Sequence, residues 1–239
     1  MVKFISFFLL FLVIASCDST EKKTTPNSLP TKSQQVTDTL TKTSKNQQDT
    51  IQIVDINLKQ LPKGIKYSGK IKQALRWIDS NGDNIILTTE TGIYQNPKVN
   101  HENEGTDADI YAYHFVISEN EAKSSWKVHD FIHDCPVDLE ANFIRNTLQI
   151  TDLNKNDIGE VWLMYKTACH GDVSPADMKI IMYEGNSRFK MSGQNKVEFG
   201  PGDYLGGDYT FDKAFKEGPK EFKDFAKNLW KKNIMQSWR

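Results

Sequence analysis

Glu160-Val161-Trp162-Leu163-Met164-Tyr165-Lys166-Thr167-Ala168 is the stretch on which the reading of the fold turns. Side chains alternate between the two faces of a strand, and this run is apolar on both. Such a strand belongs in the middle of a sheet that is covered on each side. Outward from it, residues 51–194 form a succession of short β-branched and aromatic runs separated by Asn, Gly, Asp and Pro clusters. That pattern predicts antiparallel strands over 51–57, 70–78, 84–90, 109–117, 125–133, 145–151, 160–168, 177–184 and 187–193. In the strand over 125–133, Trp126, Val128 and Ile132 share one face, while Lys127, His129 and His133 share the other.

A faint internal repeat supports this order. Ile78-Asp79-Ser80-Asn81-Gly82-Asp83 leads into one strand, and Thr151-Asp152-Leu153-Asn154-Lys155-Asn156-Asp157 leads into another about 73 residues later. Each is followed by a second strand and then by a third that carries an aromatic, Trp126 or Phe189. The order resembles the aspartate-turn units of integrin-type FG-GAP blades, but two or three units cannot close a propeller of at least about four blades. The expected fold is therefore mainly β, with antiparallel sheets in an open propeller-like or sandwich-like arrangement. After the glycine-rich segment 200–207 the period changes. Pro219 suits a first helical turn, and Phe222, Phe225, Ala226, Leu229, Trp230 and Ile234 recur at spacings of three and four. The stripe predicts a C-terminal amphipathic helix packed on the sheet. Its alternative is a membrane-surface helix with Lys220, Lys223, Lys227, Lys231 and Lys232 as the polar face.

At the other end, Lys3 precedes an apolar run, Phe4 to Val13, that is too short to span a bilayer. Ile14-Ala15-Ser16-Cys17 follows it and resembles the lipobox of bacterial lipoproteins, with small residues before a cysteine that would carry acyl chains. The expected organisation is a signal peptide over 1–16, a lipid anchor at Cys17, a tether over 17–50 and one β-rich domain over 51–239. From Asp18 to Thr50 there is no aromatic residue, and such a polar tract cannot bury enough surface to offset its conformational entropy.

Charge narrows the partners. The 30 cations and 31 anions leave a formal net charge of −1 with no long basic run, which argues against nucleic acid. Of the three cysteines, Cys135 and Cys169 remain once Cys17 is acylated. Outside the cytoplasm paired thiols become disulfides, so a Cys135–Cys169 bridge is expected. Closing a loop of about 35 residues would contribute roughly 3–4 kcal/mol.

One loop has the spacing of a cation site. Asp152, Asn154, Asn156, the backbone of Ile158, and Glu160 stand at alternate positions and could converge oxygens on Ca2+. Asp157 stands where such loops usually carry glycine, and the same residues also make a hydrogen-bonded turn without metal. In the earlier copy, Leu87 occupies the place of the last acid, which favours the plain turn there. A zinc set drawn from His129, His133, Cys135, Cys169 and His170 is disfavoured. Oxidation removes both thiols, and the two strand histidines lie about 13 Å apart along an extended chain. Nucleophile elbows, Walker loops, zinc-protease helices and dinucleotide fingerprints are absent. A carboxylate pair for glycoside hydrolysis stays open, because sequence does not measure separations.

Cys135-Pro136-Val137-Asp138-Leu139, Thr151-Asp152-Leu153-Asn154, the run from Cys169 through Lys179, and Phe222 to Trp230 together resemble a family of lipoproteins of Gram-negative bacteria described as surface polysaccharide biosynthesis proteins. The resemblance implies a link to surface polysaccharide but no particular reaction. The resulting expectation is a non-enzymatic, lipid-anchored protein of the outer membrane or cell surface that binds or organises envelope polysaccharide, with envelope proteins as further partners. The alternative is an envelope glycan hydrolase using an unidentified carboxylate pair. Exposed aromatics beside a cleft with two acids would favour the hydrolase, and a flat aromatic patch would favour binding.

Overall fold

The structure is a computed structural model that describes residues 51–236 apart from 98–101 and 103. The signal segment, Cys17 and the tether expected over 17–50 lie outside the described residues. Strands β1 (Gln52–Val54), β2 (Lys70–Asp79), β3 (Gly82–Glu90), β4 (Thr106–Ser118) and β5 (Glu121–Cys135) form a first antiparallel sheet in that order. The chain continues through β6 (Leu139–Phe143), β7 (Gln149–Thr151), β8 (Glu160–Cys169), β9 (Asp177–Glu184) and β10 (Ser187–Gln194). It ends in β11 (Lys196–Gly200), β12 (Asp203–Gly206), β13 (Tyr209–Phe211) and two helices, α1 (Lys213–Glu217) and α2 (Lys220–Asn233). The second sheet runs β13-β10-β9-β8-β6, with β7 also paired to β8, and β11 and β12 make a separate hairpin.

Neither sheet closes, and the two pack face to face as a sandwich. Each aspartate turn joins the first two strands of a four-strand meander, β2 to β5 in one sheet and β7 to β10 in the other. The repeat seen in the sequence is thus a pair of stacked units rather than part of a propeller.

β8 is the middle of the molecule. Its Val161, Leu163 and Tyr165 join Trp77, Ile110 and Trp126 in the core between the sheets. Its Trp162 and Met164 face the other way, into a second core with Phe215, Phe222, Ala226 and Trp230 of the helices. The apolar stripe of α2 is therefore consumed by protein packing, and the membrane-surface alternative for this helix falls. Among the described residues no helix is long and apolar enough to cross a membrane. The outer face of the first sheet is partly covered as well. Ile56, Leu61 and Ile65, from the segment between β1 and β2, pack on Ile85, Leu87 and Phe115.

Cys135 and Cys169 form the expected disulfide, with Cα atoms 5.8 Å apart. It joins the end of β5 to the end of β8 and so ties one sheet to the other. Three expectations differ locally. The strand expected over 145–151 is shortened to β7, because Asn146 adopts φ 60°, a turn conformation that breaks an extended run. Leu139-Glu140-Ala141-Asn142-Phe143 forms β6, a strand too short for its alternation to stand out. The glycine-rich segment is the β11–β12 hairpin, where Gly206 at φ 70° allows a backbone approach that a Cβ, 2.2 Å from the Asn195 carbonyl oxygen, would forbid.

Candidate functional site

The sequence-predicted loop comes together, with its oxygens aimed at its own backbone. Glu160 is fully buried; its carboxylate accepts the Thr151 hydroxyl at 2.6 Å and the Leu153 N–H at 2.9 Å. Burial pushes the Glu160 carboxyl above its ordinary range, against the pull of those hydrogen bonds. Asp152 accepts the N–H groups of Asn156 and Asp157, and Asn156 Oδ1 accepts that of Ile158. Asn154 and Asn156 turn their amide nitrogens, not their oxygens, to Glu184 Oε1, at 2.5 and 2.8 Å. This is the hydrogen-bonded form of the turn. Among the described residues no group of three or more His, Cys, Asp or Glu side chains could hold a metal ion. The zinc alternative is likewise not assembled. The two cysteines are bonded to each other, and His129 and His133 pair with different acids, Asp109 and Asp107.

Two acids share a cleft of about 690 Å³ that Lys72, Asn142, Arg145 and Lys166 also line. Glu90 accepts the Phe143 N–H at 2.8 Å and pairs with Lys72 at 3.0 Å, while Glu140 pairs with Lys166 at 2.9 Å. Each carboxylate is held by a lysine, and among the described residues no tryptophan or tyrosine lines the cleft.

An aromatic row stands on the outer face of β4 and β5. Alternation sends Asp109, Tyr111 and Tyr113 outward from β4, and Lys127, His129 and Phe131 outward from β5. Register then sets Tyr111 opposite His129, their rings stacked with centroids 4.4 Å apart. Phe131 continues the row 5.3 Å from His129, and the Lys127 ammonium sits 4.5 Å from the Tyr111 ring centre. Asp109 organises the group. It accepts from Tyr94 at 2.6 Å and Tyr111 at 3.2 Å, and pairs with His129 Nε2 at 2.6 Å. Burial works against the Asp109 charge, but these partners pull its carboxyl below the ordinary range. Tyr111 is pushed up to about 12 by burial and by the Asp109 charge, and Tyr94 is raised by its hydrogen bond to the same carboxylate. Phe131 remains 53% exposed and Ile93 62%. Sequence reading placed His129 on this face but passed over Phe131, whose position two residues on gave the signal.

On the inner face of the same strands lies a buried histidine. His114 stacks between Trp77 and Trp126, with centroids at 5.4 and 4.9 Å, and Trp126 stacks in turn on Tyr183 at 3.9 Å. Asn84 donates through its amide nitrogen to Asp79 and to the Gly82 carbonyl, so its oxygen is the acceptor for His114 Nε2 at 3.1 Å. Nε2 therefore carries the hydrogen, and burial lowers the ring to about 4, leaving it neutral at neutral pH. Nδ1 is then a bare acceptor, and it is buried with no hydrogen-bond partner. No family model, curated protein or solved structure matches this chain.

Proposed function

We propose that this chain is a lipid-anchored, non-enzymatic envelope protein that binds surface polysaccharide, and that the aromatic row on β4 and β5 is its contact face. The observation that carries the reading is the row of exposed Phe131, His129 and Tyr94 with the half-buried Tyr111, in which Asp109 holds Tyr94, Tyr111 and His129 in place. Rings locked by stacking and by one carboxylate lose little freedom on binding, and apolar sugar faces pack on such surfaces while hydroxyls reach polar groups at their edges. The lipobox at Cys17 and the resemblance to polysaccharide-linked lipoproteins supply the setting: a cell surface of a Gram-negative bacterium, where glycan is abundant.

The hydrolase alternative has two acid pairs to draw on, Glu90 and Glu140 in the larger cleft, and Asp177 and Asp208, which line a hollow of about 390 Å³ beside the exposed Tyr209. The commitment of Glu90 and Glu140 to Lys72 and Lys166, with no exposed aromatic among the described residues of their cleft, weighs against that pair. Affinity electrophoresis of the mature chain through gels containing the bacterium's own capsule or lipopolysaccharide tests the proposal. Retardation should appear with the wild type, and Phe131→Ala combined with Tyr94→Ala should weaken it at least about tenfold. Equal retardation of the variant, or release of reducing ends that is lost in Glu90→Gln, would overturn it.

A further inference from the structure

The cleft that holds Glu90 and Glu140 adjoins a second hollow of about 340 Å³, and Arg145, Asn146 and Asn233 line both. Together they form a groove where the turn between β6 and β7 meets the C-terminal end of α2. We infer that this groove binds a short stretch of acidic glycan, with the Arg145 guanidinium paired to a sugar carboxylate and Lys232 adding to the attraction. The ligand's chemical class rests on the proposed function; its charge, and a contact site apart from the aromatic row, come from the groove itself.

Charge sets the sign of the ligand. Among the described residues the two hollows are lined by four cations, Lys72, Arg145, Lys166 and Lys232, and by the two acids. The acids are already taken, Glu90 by Lys72 and Glu140 by Lys166. Arg145 and Lys232 have no ion pair among the described residues, and both are exposed, so a ligand reaches them without disturbing the core. An anion is therefore the charge for which the groove holds unpaired partners, and the planar fork of an arginine fits a carboxylate. The backbone that presents Arg145 is pinned on both sides. Ile144 donates its N–H to the Met164 carbonyl at 2.9 Å, the Thr147 hydroxyl donates to the Ile144 carbonyl at 2.6 Å, and Asn146 between them holds φ 60°. Such a turn loses little freedom on binding. Amides make the rest of the ligand hydroxyl-rich. Gln73, Asn142 and Asn195 line the larger hollow, Gln149 and Asn228 the smaller, and Asn146 and Asn233 both. An amide side chain donates and accepts at once, as a sugar hydroxyl does. Asn195 and Asn233 are committed within the protein, the first to Ala176 and Gln236 and the second to Leu229, whereas Asn142, Asn146 and Asn228 are exposed to solvent. The larger hollow lies within the ~300–1,000 Å³ usual for small-molecule sites, and with its neighbour it accommodates more than one sugar ring.

The test is calorimetric titration of the full mature chain with trigalacturonate and with galactotriose of the same linkage, which lacks only the carboxylates. Trigalacturonate should bind saturably with a dissociation constant on the order of millimolar or below, at least about tenfold tighter than galactotriose. Arg145→Gln keeps an amide for the hydroxyls but removes the charge, and should weaken trigalacturonate at least about tenfold while leaving galactotriose unchanged. Lys232→Gln should weaken it by about threefold, as an exposed charge at the edge of the site. Both substitutions lie at exposed positions, and unchanged thermal melting verifies that the fold is intact. Phe131→Ala combined with Tyr94→Ala should leave trigalacturonate binding as it is. Failure of every polymer to retard the chain, with saturable trigalacturonate binding, would overturn the proposed function alone. Absence of saturable trigalacturonate binding, equal binding of galactotriose, displacement of trigalacturonate by inorganic phosphate at the same concentration, or an unchanged affinity in Arg145→Gln would overturn the acidic-glycan groove.

Discussion

The turn at Asp79 and the turn at Asp152 share composition and place in the repeat, yet different carboxylates hold them. In the first, Asp79 gathers four donors, one of them the Gly159 N–H from the other unit. In the second, Asp152 makes two local contacts and the buried hub is Glu160, at the start of the next strand. The two turns also touch directly, since Ser80 donates its N–H to the Asp157 carbonyl at 2.9 Å. A repeated Asp/Asn pattern therefore identifies a turn but does not say which acid closes it. At the opposite end the two sheets are joined by a covalent clamp, Cys135–Cys169.

The largest effect should come from that clamp. Replacing both Cys135 and Cys169 with serine should destabilise the domain by roughly 3–4 kcal/mol, read as a lowered denaturation midpoint. A loss under about 1 kcal/mol would mean that the hydrogen-bonded end alone sets the packing of the two units.

A substitution series then ranks the acids of the turns. Glu160→Ala leaves several buried donors unpaired and should cost about 3 kcal/mol, Asp79→Ala about 2 kcal/mol, and Asp152→Ala about 1 kcal/mol. At roughly 2–4 °C per kcal/mol for a domain of this size, thermal melting resolves the order. If Asp152→Ala proves as harmful as Glu160→Ala, the assignment of the hub is wrong. The same melts in millimolar calcium and in chelator should coincide. A calcium-dependent rise that disappears in Asp152→Ala would show that the loop can turn its oxygens from its own N–H groups to a cation.

The smallest effects concern pH, and two acids should respond with opposite signs. Glu160 is raised above 4.5 in the fold, so its contribution is present below that pH and declines as pH rises through the folded value. Asp109 is lowered below 3.8, so its contribution is present above that pH and is lost as pH falls through the folded value. Glu160→Gln should flatten the decline above pH 4.5, and Asp109→Asn should flatten the loss below pH 3.8, both measured as stability against pH. Matching slopes in variants and wild type would remove these groups from the account.

What the sequence by itself determined was whatever one segment decides alone. Alternation marked β8 as two-faced and central, the stripe of Phe222, Ala226, Leu229 and Trp230 marked α2, and the cysteine count pointed to one bridge; all three are present. The lipobox and tether are equally local readings, though they fall outside the described residues. Only the tertiary structure decided what depends on partners far along the chain. Asp79 became a hub through a residue 80 positions away, and Tyr111 met His129 through strand register. His114 lost its second hydrogen-bond partner because two tryptophans enclosed it. Periodicity and composition are properties of a segment, and they reveal which face a side chain takes. Hydrogen-bond saturation, stacking and cavity shape are properties of which faces meet, and that is settled only when the two sheets pack.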